Sequence, residues 1–218
     1  MKKIKDPVSA LTHFVVFLAA IPINILLVYE ANVSATKLHV IAFIIFGIAL
    51  LALYGASTIY HWLCISKEKE KVLRRIDHMM IFILIAGTYT PVCLIPLNGK
   101  WGWTLLSLVW GLALAGIILK IVWMDAPRWL STVIYVVMGW LVVIAFYPLM
   151  QAVPKEGVLL LLAGGITYTI GAVIYGTKWI PFKNKWFGAH ELFHLFVMAG
   201  SAFHIVFMFR YVLNVGII

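Results

Sequence analysis

The chain alternates long apolar runs with short polar connections. Seven runs are long enough to cross a hydrocarbon core, which takes about 20 helical residues. They lie near residues 9–28, 38–64, 76–96, 102–122, 130–149, 157–176 and 189–212. Within them apolar positions are continuous and do not alternate, which excludes barrel strands and predicts an all-α membrane protein, a seven-transmembrane-helix bundle. The connections are "SKEKEKVLRR" after the second run, read as a solvated loop, then "PLNGKWG", "KIVWMDAPRW", "QAVPKEG" and "GTKWIPFKNKWF". No soluble domain fits between the runs and no internal repeat or low-complexity segment is found, so residues 1–218 are expected to form a single seven-helix transmembrane domain. The first run lacks a small-residue cleavage site followed by a soluble region, so a cleaved signal peptide is not expected.

Composition strengthens the membrane reading. Hydrophobic residues make up 64% of the chain and charged residues 11%, with mean hydropathy +1.03, whereas soluble domains are roughly 45–50% apolar. The net charge of +9 would suggest nucleic acid in a soluble protein; here no nucleic-acid partner is expected, because the placement of the charges explains them. Lys and Arg accumulate in cytoplasmic loops. Lys2, Lys3, Lys5, Lys67, Lys69, Lys71, Arg74, Arg75, Lys120, Arg128, Lys178, Lys183 and Lys185 fall on the side of the N-terminus, against Lys37, Lys100, Lys155 and Arg210 on the other, a split of 13 to 4 among the 17. The N-terminus is therefore expected in the cytoplasm and the C-terminus outside, in a multi-pass protein of the cell membrane. Trp101, Trp103, Trp129, Trp179 and Trp186, close to the span ends, read as interfacial anchors. Cys64 and Cys93 both fall in apolar segments and are expected to be a reduced pair.

Ionisable groups inside a membrane are costly, so each one is a candidate for function. His61, in "STIYHWLC", lies one turn before the cytoplasmic end of the second run; Asp77 and His78 open the third at the same face, and His190 and His194 open the seventh. With about 1.5 Å of rise per residue they share one layer near the cytoplasmic boundary. Three imidazoles from two helices, two of them at i and i+4, form a three-ligand set with a fourth position left over, the pattern of catalytic zinc. His61, His190 and His194 are thus the expected metal ligands. Asp77 is placed to hydrogen-bond a water in the site or to orient a ligand, and Ser57, one turn deeper on the face of His61, to donate to an oxygen there.

"HELFH" at 190–194 also spells the His-Glu-x-x-His of zinc proteases. A residue at i+1 on a helix is rotated about 100° from His190, which argues against Glu191 as the base of a protease. The remaining histidines lack this convergence. His204 lies about 15 Å deeper than His194 by helical rise and reads as an interhelical hydrogen-bonding residue; His13 and His39 have no evident partner, and His78 should point about 100° away from Asp77. In "AGTYTPVCL", Gly87 permits close helix approach, Thr88 and Thr90 can bond back to the backbone, and Pro91 removes a donor, so a kink near 87–91 is expected.

"STIYH" at 57–61, "RRIDHMMIFILIAGTYTP" at 74–91 and "HELFHLFVMAGSAFH" at 190–204, in that order, resemble the signature blocks of the bacterial hemolysin III proteins within the progestin and adipoQ receptor family. The resemblance covers nearly the whole chain. It implies that His61, His190 and His194 bind zinc, that Asp77 contacts the metal through water with Ser57 beside it, that the N-terminus is cytoplasmic, and that Glu191 is a permitted variant. The long cytosolic N-terminal region of the receptors is not part of the resemblance, so their signalling partners are not expected to carry over.

Two classes of function follow. One is a membrane-embedded zinc hydrolase related to alkaline ceramidases, acting on a lipid amide or ester that enters between helices, with zinc acidifying water and Asp77 handling the proton. The other is the activity behind the family name, membrane permeabilisation, for which a continuous polar stripe along a helix is wanted and none is found. A sensor of membrane state with a structural zinc is a third possibility. Membrane lipids are the expected partners in each.

Overall fold

The computed structural model of the protein describes residues 4–123, 125–177, 179, 184 and 186–216, with Arg128 described in its backbone alone. Lys2, Lys3, Lys178, Lys183 and Lys185 of the charge count lie outside the described residues, as does the Arg128 side chain. The chain folds into α1 (Pro7–Ser34), α2 (Lys37–Trp62), α3 (Lys67–Leu94), α4 (Lys100–Val122), α5 (Arg128–Trp140), a 3₁₀ turn (Leu141–Ala145), α6 (Phe146–Ala152), α7 (Lys155–Thr177), α8 (Ala189–Arg210) and a second 3₁₀ turn (Val212–Asn214). Among the described residues, seven segments are long and apolar enough to cross a membrane: the fifth, Trp129–Ala152, combines α5, the 3₁₀ turn and α6, and the seventh, Ala189–Asn214, is α8 with its short tail. Only helices satisfy every backbone group within such segments, which is why apolar runs of this length become helices.

Two boundaries differ from the sequence reading. The segment "KEKEKVLRR", expected as a loop, forms the first turns of α3. Lys, Glu and Arg are good helix formers, Ser66 adopts the extended backbone of a cap, and Glu68 and Glu70 place negative charge at the positive end of the helix dipole. The fifth crossing is not one continuous helix. Tyr89 reaches across from α3, donating its hydroxyl to the Gly139 carbonyl at 2.7 Å and accepting from the Val142 N–H at 2.8 Å. A side chain inserted into the helical ladder in this way interrupts it, and the 3₁₀ turn starts at Leu141.

Helix contacts run in a closed ring, α1 to α2 to α3 to α5 to α7 to α8 and back to α1, while α4 packs on α3 and the fifth crossing. Phe43, Phe46, Leu50 and Tyr54 of α2, Phe82 of α3 and Phe207 of α8 are buried in the core between the helices. Close approach of α2 and α3 depends on Gly87, where an added Cβ would collide with the Cβ of Ala49. Thr88 and Thr90 donate to the carbonyls of Leu84 and Ala86, and α3 remains α-helical through Pro91. The five Trp residues read as anchors are all exposed. Cys93 is buried in α3, and Cys64 is exposed just beyond α2.

Candidate metal centre

His61 comes from the last turn of α2, and His190 and His194 from the first turns of α8. The bundle brings them together: each offers a ring nitrogen, and those atoms all lie within 4.8 Å of one another. His61 Nε2 and His190 Nε2 face each other at 3.1 Å. Two nitrogens bound to one tetrahedral zinc at about 2.0–2.1 Å sit roughly 3.3 Å apart, so the donor set and its spacing fit such an ion. Of the three rings, His61 and His194 are buried.

Asp6 completes the arrangement and was not found in the sequence. Its Oδ2 accepts from His61 Nδ1 at 2.9 Å. A carboxylate without a proton can only accept, so Nδ1 carries the hydrogen and Nε2 is left to face the centre. That hydrogen bond holds the Asp6 carboxyl below the usual carboxylate range, against the opposing push of burial. The backbone is tied down as well: Asp6 N–H donates to the His61 carbonyl at 3.0 Å, and Lys5 pairs with Glu70 at 3.0 Å while its ammonium sits 3.5 Å over the Tyr60 ring. Asp6 lies outside every apolar run, directly before Pro7, which opens α1. The one available signal was a carboxylate just ahead of the first apolar run.

Glu191 turns away from the imidazoles. Its Oε2 accepts from Gly188 N–H at 2.8 Å, capping the first turn of α8, and its Oε1 accepts from Ser9 Oγ of α1 at 3.0 Å. Both oxygens thus serve the start of the helix. His13, without an evident partner in the sequence, stacks flat on His194 with ring centroids 3.7 Å apart and 12° between planes. Both of its ring nitrogens are buried without a hydrogen bond.

The centre opens into a cavity of about 680 Å³ among the helices, within the range of small-molecule sites. Asp77 and Ser57 both line it and both are buried. His78, His61 and Ser57 surround the Asp77 carboxylate, and the Ser57 hydroxyl lies beside it without closing a hydrogen bond. His78 does not point away from Asp77 as expected. Donation from its Nδ1 to the Arg74 carbonyl at 2.8 Å turns the ring back along α3, leaving Nδ1 3.3 Å from Asp77 Oδ2. His204 lines the far part of the cavity, and its hydrogen bond is not interhelical: Nδ1 donates at 2.7 Å to Gly200 of its own helix. His39 shares a 2.8 Å hydrogen bond with Thr36 at the start of α2.

The fold and the cluster define a seven-helix membrane protein with an internal three-histidine centre. The family described as "Haemolysin-III related" matches residues 1–205, and the chain belongs to it. Hemolysin-3 of Bacillus cereus is 40% identical over 205 residues, covering 94% of this chain and 90% of that protein. A Hemolysin-3 homolog of Bacillus subtilis (strain 168) is 42% identical, covering 93% and 92%. Similarity extends to the human Monocyte to macrophage differentiation factor, 28% identical over 77% of this chain and 68% of that one.

Proposed function

We propose that the protein is a zinc-dependent hydrolase of a lipid amide or ester within the cell membrane, with its N-terminus in the cytoplasm and its C-terminus outside. The observation that carries this reading is the meeting of three histidine nitrogens within 4.8 Å at the wall of a cavity that also holds the buried Asp77. His61, His190 and His194 hold the metal, with His61 oriented by Asp6. When bound, zinc supplies Lewis-acid polarisation of an acyl oxygen and acidification of water. Asp77 accepts the proton released as water attacks the carbonyl and returns it to the leaving nitrogen or oxygen. Ser57, with its hydroxyl uncommitted, donates to the oxygen that gains charge at the carbonyl. The largely apolar remainder of the cavity takes the acyl chain, which enters between helices and is kept from bulk water. The test is a panel of ceramides and acyl lipids given to the purified protein with and without chelator. Chelator-sensitive release of a fatty acid supports the reading, and no turnover across the panel by zinc-loaded protein contradicts it.

The name of the Bacillus cereus relative, Hemolysin-3, favours a second reading, membrane permeabilisation. Liposome dye release tests it, and on the hydrolase reading the protein releases no more dye than an unrelated membrane protein of similar size.

A further inference from the structure

Lys120, in the last turn of α4, is only 2% exposed, yet it lines the cavity. A lysine near a span end ordinarily snorkels, extending its ammonium into water. This one does not: its Nζ donates to Ser131 Oγ of α5 at 2.5 Å, and among the described residues no carboxylate pairs with it. A buried ammonium is retained at low cost only where an opposite charge meets it, and a serine hydroxyl brings none. Arg74 of α3 also lines the cavity, close enough for its charge to oppose that of Lys120, and its Nε is buried without a hydrogen bond. Asp125 pairs with Arg74 Nη2 at 3.1 Å and is mostly exposed. Of these three, Asp125 offsets Arg74 and Lys120 is left without a paired carboxylate, while the Asp77 carboxylate lies further along the same chamber. Arg74 precedes Asp77 by three residues on α3, placing this charge about 4.5 Å along the helix axis from the carboxylate, towards the end of α3 where the chain enters.

We propose that Lys120 and Arg74 form a site for the phosphate of a phospholipid headgroup, at the mouth of the same cavity whose apolar part takes the chains. The Lys120 ammonium, met by a hydroxyl alone, and the unpartnered Arg74 Nε favour this occupant, since a phosphate oxygen supplies the anionic acceptor that each lacks. An arginine fork with a flexible ammonium is a common phosphate-binding pair. The inference rests on the cavity admitting a lipid but not on turnover, so its test uses a ligand that cannot be hydrolysed at an acyl bond. Ether-linked dialkyl phosphatidic acid and the matching uncharged dialkylglycerol are titrated into chelator-treated protein in a neutral detergent, with intrinsic tryptophan fluorescence or native mass spectrometry as the readout. The phosphate-bearing lipid is expected to bind at least about 10-fold more tightly, a difference of about 1.4 kcal/mol. Lys120→Met should remove most of that preference, Arg74→Gln part of it, and Lys120→Arg little, each with the zinc-loading capacity of the wild type. Equal affinity of wild-type protein for the two lipids overturns the proposal without recourse to any variant. So does a preference that survives in folded Lys120→Met, and so does inorganic phosphate binding as tightly as the lipid. An absence of turnover in the hydrolase assay leaves this experiment unaffected, which separates the two outcomes.

Discussion

At the scale of single residues, the carboxylates divide the work around the imidazoles. Asp6 orients His61, Asp77 lines the chamber, and Glu191 fastens the start of α8. Asp6→Ala is expected to weaken zinc retention by about 10–100-fold, as removal of a residue that orients a metal-binding histidine typically does; competition with a fluorescent chelator measures it. Glu191→Gln should leave metal content close to normal and change turnover mildly. Its main effect should be on stability, because one oxygen of the capping and Ser9 contacts becomes a donor, a loss of about 0.5–2 kcal/mol seen as a lower melting temperature. Near-complete loss of turnover at wild-type stability would instead make Glu191 the base of a protease. The imidazole cluster was legible in the sequence because helical periodicity and depth suffice to bring His61, His190 and His194 to one layer. Asp6 and His13 were not, since the contact of α1 with α8 and the path of the chain before Pro7 are set by tertiary packing, and neither residue shares a spacing motif with the histidines.

Among the helices, the apolar runs gave the number and order of crossings because length and continuous hydropathy alone decide which segments can span. They could not show two features that depend on other forces. The charged start of α3 reads as a loop to any hydropathy criterion, although its Glu and Lys residues favour a helix outside the bilayer as well. The interruption of the fifth crossing is imposed by Tyr89 from another helix, and no residue within 130–149 announces it. Tyr89→Phe removes the hydroxyl that serves both the Gly139 carbonyl and the Val142 N–H. Leaving those backbone groups without their partner should cost about 1–3 kcal/mol, which at about 2–4 °C per kcal/mol for a chain of this size is a clear drop in melting temperature. An unchanged melting temperature would mean that the 3₁₀ turn forms without Tyr89.

For the whole molecule, orientation and the candidate metal centre are linked, because the four crossings between the end of the second span and the start of the seventh return the chain to the same end of the bundle, where His61, Asp77 and His190 meet. A reporter fused after Ile218 is expected to be external and one inserted before α3, at Ser66, to be cytoplasmic; cytoplasmic signal from both would break the parity. That the three signature blocks sit on α2, α3 and α8 was legible in the sequence, whereas the cavity they enclose was not, since a void is a property of the assembled ring. The most direct test is the zinc content of the purified wild type and of the His61→Ala, His190→Ala, His194→Ala and His204→Ala variants, determined by elemental analysis on folded, monodisperse protein. The expected result is close to one zinc per chain in the wild type and in His204→Ala, with a marked loss in each of the other three, because two imidazoles alone hold the ion far more weakly. A wild type that cannot be loaded with zinc, or full zinc in folded His61→Ala and His194→Ala, would contradict a metal centre at these histidines.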